Sequence, residues 1–316
     1  MIKNASIRRI LVASIALFIT LIALYIFPKK EVSIPSKTIY KKAKTAAIYL
    51  IDPHDYVART YINITEDTKE KIAFELVEAL INGTNKNKYL PNGFTSYIAS
   101  DTLVNSVKIE SDIVVVDFNR NIFENDINNN EKILESIVYT LTEIDGINGV
   151  RILVNGQLLN KLPGTLNTLP EVLTRKIGIN KKVIINSYKG TDSITTYFIG
   201  NYDNNTYFIP VTSVINSNDE KITVIIKELQ GRDFIDDNLS TYLSIGVELK
   251  NYEIKENEVN LEFNNAIFNG FNEIDEETMY GIALSIKDNY DISNVNFNVD
   301  GKKIKAYALK SSWLYP

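Results

Sequence analysis

Val116-Asp117-Phe118-Asn119-Arg120-Asn121-Ile122-Phe123 and Leu261-Glu262-Phe263-Asn264-Asn265-Ala266-Ile267-Phe268 stand 145 residues apart and read alike. At the same offset, Val150-Arg151-Ile152-Leu153-Val154-Asn155-Gly156 matches Val295-Asn296-Phe297-Asn298-Val299-Asp300-Gly301. Upstream, Ile48-Tyr49-Leu50-Ile51 resembles Thr196-Tyr197-Phe198-Ile199. Apolar type, acid position and Asx-Gly turn recur in the same order, so the chain carries one unit twice. Each copy has about 110 residues, enough for a core without staples, and each is expected to fold by itself.

Within the first copy, Ala46–Ile51 and Val57–Ile64 read as strands around the turn residues Asp52-Pro53-His54-Asp55. A helix follows, with Asp67 and Glu70 at capping-box spacing, a stripe of Ile72, Leu76, Ala79 and Leu80, and Asn82-Gly83 at its end. Strands Leu103–Glu110 and Ile113–Phe118 come next, then a helix carrying Ile133, Leu134, Ile137, Val138 and Leu141. A last strand, Gly149–Val154, turns at Asn155-Gly156, a favoured hairpin dipeptide. The second copy follows the same order, with Ile222, Ile225, Ile226 and Leu229 on one helix face. Pro210 has no N–H for a ladder and predicts an edge position for its strand. The fold class is α+β: two tandem β-β-α-β-β-α-β domains, each with two helices on one sheet face.

An uncharged run, Ile10 to Phe27, precedes both copies between Arg8-Arg9 and Lys29-Lys30. As a helix it is about 27 Å long, near the roughly 30 Å hydrocarbon thickness of a bilayer. No small-residue cleavage site follows it, so residues 10–27 are expected to be a retained transmembrane helix. Basic residues lie on both sides, so charge bias alone does not set the topology. The expected organisation is 1–30 tail and anchor, 31–45 basic stalk, 46–160 first domain, 161–193 linker, and 194–316 second domain with an aromatic tail, Trp313-Leu314-Tyr315-Pro316.

Of the chain's 34 basic residues, Lys3, Arg8, Arg9, Lys29 and Lys30 lie in residues 1–30 with no acid, leaving 29 basic against 39 acidic residues beyond them. Such an acidic body repels phosphate backbones, so no nucleic acid is expected as a partner. The remaining cations cluster in the stalk and at Lys161, Arg175, Lys176, Lys181, Lys182 and Lys189. That central segment reads as a solvated linker or as a contact for anionic lipid or wall polymer. With no cysteine, thiol catalysis, disulfides and Cys-based metal sites are excluded; a single histidine excludes multi-His metal sites.

Gly83-Thr84, Leu90-Pro91-Asn92-Gly93, Val107-Lys108-Ile109, Val115-Val116-Asp117-Phe118-Asn119 and Phe123, then Val138-Tyr139-Thr140-Leu141-Thr142-Glu143, closed by Val150, Ile152, Val154, Asn155 and Gly156, resemble the GerMN domain. This domain occurs twice in the GerM family of spore-formation and germination proteins. The resemblance covers nearly all of residues 46–305, more strongly in the first copy; the second has Asp236-Asp237-Asn238-Leu239-Ser240 in place of the Leu-Pro-x-Gly segment. It implies a fold similar to the ring-building motifs of secretion systems and an extracytoplasmic scaffold. It implies partners among sporulation channel proteins in the space between mother cell and forespore, and no enzymatic activity. Family members are often lipoproteins; without cysteine, this chain is left with residues 10–27 as its anchor.

Few side chains qualify as chemical candidates. Asp52-Pro53-His54-Asp55 groups the histidine with two carboxylates, but Asp and Pro also make a polar turn, which is the favoured reading. Asp117 and Glu262, each followed two residues later by Asn119 and Asn264, form a carboxylate pair only if two domains meet there. Local side-chain-to-backbone bonds are the simpler reading. Leu90-Pro91-Asn92-Gly93-Phe94 lies in a long loop and reads as packing over a core edge. Asn63-Ile64-Thr65 is a glycosylation sequon only in a eukaryotic secretory pathway. The Trp313–Pro316 tail is either a flap or a docking peptide. No catalytic, cofactor or metal residue is therefore assigned. The functional expectation is a non-enzymatic, membrane-anchored extracytoplasmic scaffold of spore formation or germination. The alternative is a peptidoglycan-binding module of the cell envelope.

Overall fold

The computed structural model describes residues 11–19, 22, 44–87, 90–123, 126–165, 168–184, 191–231 and 238–308. The chain divides into two units, 1–42 and 43–316. In the first, residues 11–19 are helical. Residues 10, 20, 21 and 23–27 of the expected anchor lie outside the described residues, and among those described no helix is long and apolar enough to cross a membrane. The Trp313–Pro316 tail also lies outside them.

The second unit begins with the hairpin β1 (Lys44–Ile51) and β2 (Val57–Ile64), followed by helix α1 (Lys69–Leu80). Alternation of apolar residues gives way to a 3.6-residue stripe there, and Ala73, Leu76, Val77 and Leu80 are buried. The expected capping box is not formed. Thr68 is the N-cap, without a side-chain bond, and Asp67 instead pairs with Lys44. Gly83 ends the segment at φ +76°, a conformation that L side chains rarely adopt.

Strands β3 (Val104–Glu110), β4 (Ile113–Phe118), β5 (Gly149–Val154) and β6 (Gln157–Leu158) form a four-stranded sheet in that order, with helix α2 (Asn130–Leu141) between β4 and β5. β4 and β5 run parallel, as a crossover helix requires. Asn155 and Gly156 adopt φ +51° and +77°, the values of the hairpin turn expected from the dipeptide. The second copy repeats the pattern with β8 (Asp192–Tyr202), β9 (Asn205–Ile215), α3 (Lys221–Leu229), β10 (Leu249–Lys255), β11 (Glu258–Phe263), α4 (Glu276–Asn289), β12 (Asn294–Val299) and β13 (Lys302–Ala308). Each copy thus ends with one strand more than expected, folded back after the Asx-Gly turn.

Two apolar cores follow, one per copy. One centres on Leu76, Val116, Phe118 and Ile137, the other on Ile225, Leu261, Phe263 and Phe297. The opening hairpins depart from the one-sheet-per-copy expectation. β1, β2, β9 and β7 (Lys182–Ile184) join in a separate sheet, with β8 also paired to β9, so this sheet spans both copies. Ala58 of the first copy is buried with Phe198 and Ile209 of the second, while Tyr49 and Tyr139 are buried with Ile179 of the intervening segment.

Pro210 is a correction to the edge-strand rule. Its strand, β9, has β8 on one side and both β2 and β7 on the other. Thr212, two residues on, donates its N–H to Ile179 O on the β7 side, so the Pro210 nitrogen points the same way. It meets the gap between β2 and β7, where no ladder bond is required. Asn180 fills that gap: its side chain accepts from Val57 N and donates to Val57 O (2.8 Å) and Pro210 O (2.7 Å).

Candidate functional site

The duplication places a tyrosine in the first strand of each copy and a carboxylate just after, or at the end of, each second helix. Tyr49 is in β1 and Tyr197 in β8; Glu143 follows α2 and Asp288 lies near the end of α4. Tyr49 N donates to Thr140 Oγ1 and Tyr197 N to Ser285 Oγ, so each helix is bonded to its strand in the same way (2.9 and 3.0 Å). Tyr49 OH donates to Glu143 Oε1 at 2.9 Å, and Tyr197 OH to Asp288 Oδ2 at 2.7 Å. The two hydroxyls are 3.0 Å apart. The copies therefore meet tyrosine to tyrosine, around a local twofold relation.

Arg175, from the segment between the copies, completes this seam. Its guanidinium donates to Glu143 Oε1 (2.7 Å) and to Asp288 Oδ1, bridging the two equivalent carboxylates. It also reaches Tyr197 OH, Tyr139 O and Thr142 Oγ1, a use of the planar fork that lysine cannot reproduce. Arg59 of β2 lies 3.4 Å from Glu143 and bonds Tyr61 OH, which meets Tyr280 OH of α4 at 2.8 Å. Lys287 approaches Glu143 at 3.8 Å.

Burial alone raises the Glu143 carboxyl, but Lys287, Arg59 and Arg175 together hold it well below the ordinary range. Burial works against the charge on Arg175, yet Asp288, Tyr49 and Glu143 keep the guanidinium firmly protonated. Burial pushes the Tyr49 and Tyr197 hydroxyls well above their usual value. Every charge here faces an opposite charge and every hydroxyl a partner, which is the arrangement of a structural clamp. A second clamp joins α2 to the linker: Glu135 accepts from Asn180 N at 3.1 Å, with Lys181 alongside. Burial lifts the Glu135 carboxyl to about 7 against the opposing pull of Lys181 and the Asn180 N–H.

The sequence candidates take structural roles. Asp52 accepts from His54 N, Tyr56 N and Tyr207 OH, so the Asp52–Asp55 turn is a polar turn held by the second copy. Asp55 binds Lys132 and Tyr97 and does not converge with His54 on any ligand position. Asp117 accepts from Gly156 N and Glu262 from Gly301 N, the same turn-fixing bond in both copies. Asn119 bonds Leu103 N and Asp101 O, and Asn264 bonds Glu248 N and Gly246 O. These are the local bonds expected, on separate sheets, with no carboxylate pair between them. Thr65 of the sequon is bonded to Glu75. Among the described residues no group of three or more His, Asp or Glu side chains is placed to hold a metal ion.

Leu90–Phe94 packs across the seam. The Phe94 ring meets Tyr207 edge-on at 4.8 Å, and Asn92 reaches Asp203. Gly93, at φ +84°, leaves no room for a Cβ, which would lie 2.5 Å from the Tyr202 ring. The Leu-Pro-x-Gly segment of the first copy is thus a contact made by one copy on the other. Arg175 was missed in the sequence, where it belonged to a run of linker cations. The signal that could have marked the seam is the tyrosine recurring inside the repeated Ile48–Ile51 and Thr196–Ile199 runs, since a phenol at a buried strand position needs a partner.

Two duplicated sheet-and-helix modules, joined by a buried ionic seam, define a tandem α+β architecture. A family model described as Germane, sporulation and spore germination, matches residues 47–160 and 195–305. The chain is 31% identical over 263 residues to the spore germination protein GerM of Bacillus subtilis (strain 168), covering 81% of this chain and 71% of that protein. The solved tandem GerMN domains of the sporulation protein GerM from Bacillus subtilis match with a TM-score of 0.77 at 28% identity, covering 85% of this chain and 98% of that one. The chain belongs to the Germane family of sporulation and spore germination proteins, and its two copies are GerMN domains.

Proposed function

We propose that the protein is a non-enzymatic scaffold of spore formation or germination, held on the extracytoplasmic side of the membrane by residues 10–27, where it assembles with proteins of a mother cell–forespore channel. The observation that carries this reading is the seam: Arg175 bridging Glu143 and Asp288 joins two modules into one body. Such a body presents two equivalent sets of sheet edges and helix faces at a fixed relation, so weak contacts on both modules add as one multivalent attachment. Membrane anchoring raises the local concentration further. The uncharged run 10–27, helical over 11–19, supports the anchor. For the peptidoglycan alternative, Arg175 is no longer an available cation, because it is buried between carboxylates.

A fluorescent fusion in sporulating cells tests this. Enrichment at the engulfing membrane, lost when channel proteins are deleted, is the expected result. Uniform membrane signal unchanged by those deletions would count against the scaffold.

A further inference from the structure

Helices α1 and α3 are equivalent, and their difference is informative. Six buried positions of α1, 73, 75, 76, 77, 79 and 80, recur 149 residues later as 222, 224, 225, 226, 228 and 229 of α3. The outward positions can therefore be compared one for one. In the second copy they are Asp219, two residues before the helix starts, and Thr223 and Lys227 within it, and Asp219 pairs with Lys227 across the threonine. This is how a helix face is built to meet water. In the first copy the same positions are Glu70, Phe74 and Glu78. Phe74 is 40% exposed, and neither Glu70 nor Glu78 meets a cation among the described residues.

Phe74, Glu70 and Glu78 line a groove of about 400 Å³ together with Val107 of β3. β3 is the edge strand of its sheet and pairs with β4 alone among the described strands. Lys71 and Lys86, which also line it, are engaged by Glu66 and Glu75. What remains, among the described residues, is an exposed aromatic ring between two carboxylates that make no ion pair, beside the edge strand of the sheet.

We infer that the α1–β3 groove of the first copy docks an extended segment of a partner protein carrying a lysine or arginine, an apolar residue and a second lysine or arginine at alternate positions. The spacing follows from geometry. Residues eight apart on a helix are separated by about 12 Å along its axis. Residues four apart on a strand are separated by about 13 Å, and positions i, i+2 and i+4 share one face. The two cations thus reach Glu70 and Glu78 while the middle side chain covers Phe74 and Val107. Main-chain groups of the segment can continue the sheet from β3, the usual mode of edge-strand recognition. This adds a contact surface to the scaffold reading, and a binding measurement decides it regardless of where the protein sits in the cell.

The test is fluorescence anisotropy of the full chain in detergent with two labelled peptides of equal composition. One has the core Lys-Thr-Ile-Thr-Lys, the other Lys-Lys-Ile-Thr-Thr. The patterned peptide is expected to bind at least about tenfold more tightly, with affinity falling as salt rises. Replacing the site by the second copy's solution, Phe74→Thr with Glu78→Lys, should weaken it by about thirtyfold, the effect of losing a hot-spot residue. Should that variant fold poorly, Glu70→Gln with Glu78→Gln keeps the ring and should still lose most of the binding. Equal binding of both peptides, no binding of either, or full binding by the folded variants overturns the proposal. Self-association of the wild type that the variants abolish would assign the groove to a second copy of the chain and overturn it equally.

Discussion

Arg175→Met removes the cation that bridges the modules while keeping most of the side chain's volume. The guanidinium is buried to 14% side-chain exposure, and Asp288 beside it to 1%. After the change Glu143 retains Arg59 and Lys287, whereas Asp288 keeps, among the described residues, only the hydrogen bond from Tyr197 OH. Loss of one member of a buried ion pair costs about 3–5 kcal/mol, because the other charge stays buried without compensation. At roughly 2–4 °C per kcal/mol for a body of this size, Tm should fall by about 6–20 °C. Thermal and urea unfolding of residues 31–316 read this directly. The double variant Arg175→Met, Asp288→Asn removes the orphaned charge and should recover part of the loss, so the two changes couple. A loss below about 1 kcal/mol, the range of exposed ion pairs, with no coupling to Asp288, would refute the reasoning.

Glu135 and Glu143 respond to pH in opposite directions. Glu135 is raised from 4.5 to about 7 in the fold, so its contribution is full below about pH 4.5 and is lost as pH rises through 7. Glu135→Gln should therefore gain on the wild type with rising pH, by at most about 3 kcal/mol at pH 8; a difference in Tm that stays flat from pH 5 to pH 8 contradicts this. Glu143 lies below its ordinary value, so its contribution is present above 4.5 and disappears as pH falls through the lowered value; Glu143→Gln should flatten the acid limb of the stability curve. Gly93→Ala places a Cβ against Tyr202 and Pro53 at positive φ and should cost more than about 1 kcal/mol in urea unfolding, whereas Gly156→Ala, with open space around it, should show only the backbone effect. Deleting residues 10–27 should move the protein from the membrane to the soluble fraction on cell lysis; unchanged membrane association would place the attachment elsewhere.

Local elements of both copies were legible because periodicity and turn chemistry are short-range. The Leu76 and Ile137 stripes, the strands around Phe118 and Phe263, and the Asn155-Gly156 turn formed as read. The roles of Asp117 and Asn119 followed from residue type and position at a strand end. The sheet shared by both copies was not legible. Its single β2–β9 pairing, Arg59 opposite Phe208, joins positions about 150 residues apart, and neither strand's pattern announces a second partner. Pro210 misled for the same reason: whether a strand is interior depends on where its neighbours start and stop, here on the break between β2 and β7 that Asn180 fills. Arg175 was hidden because a buried arginine and a solvated one look the same in a basic linker. Only its partners, one from each copy, distinguish them.

Scanning calorimetry of residues 31–316 tests most directly whether the seam makes one body of two modules. A single transition with equal calorimetric and van't Hoff enthalpies is expected for the wild type, separating into two in Arg175→Met as the modules uncouple. Two transitions in the wild type, or one unaltered transition in Arg175→Met, would contradict the account.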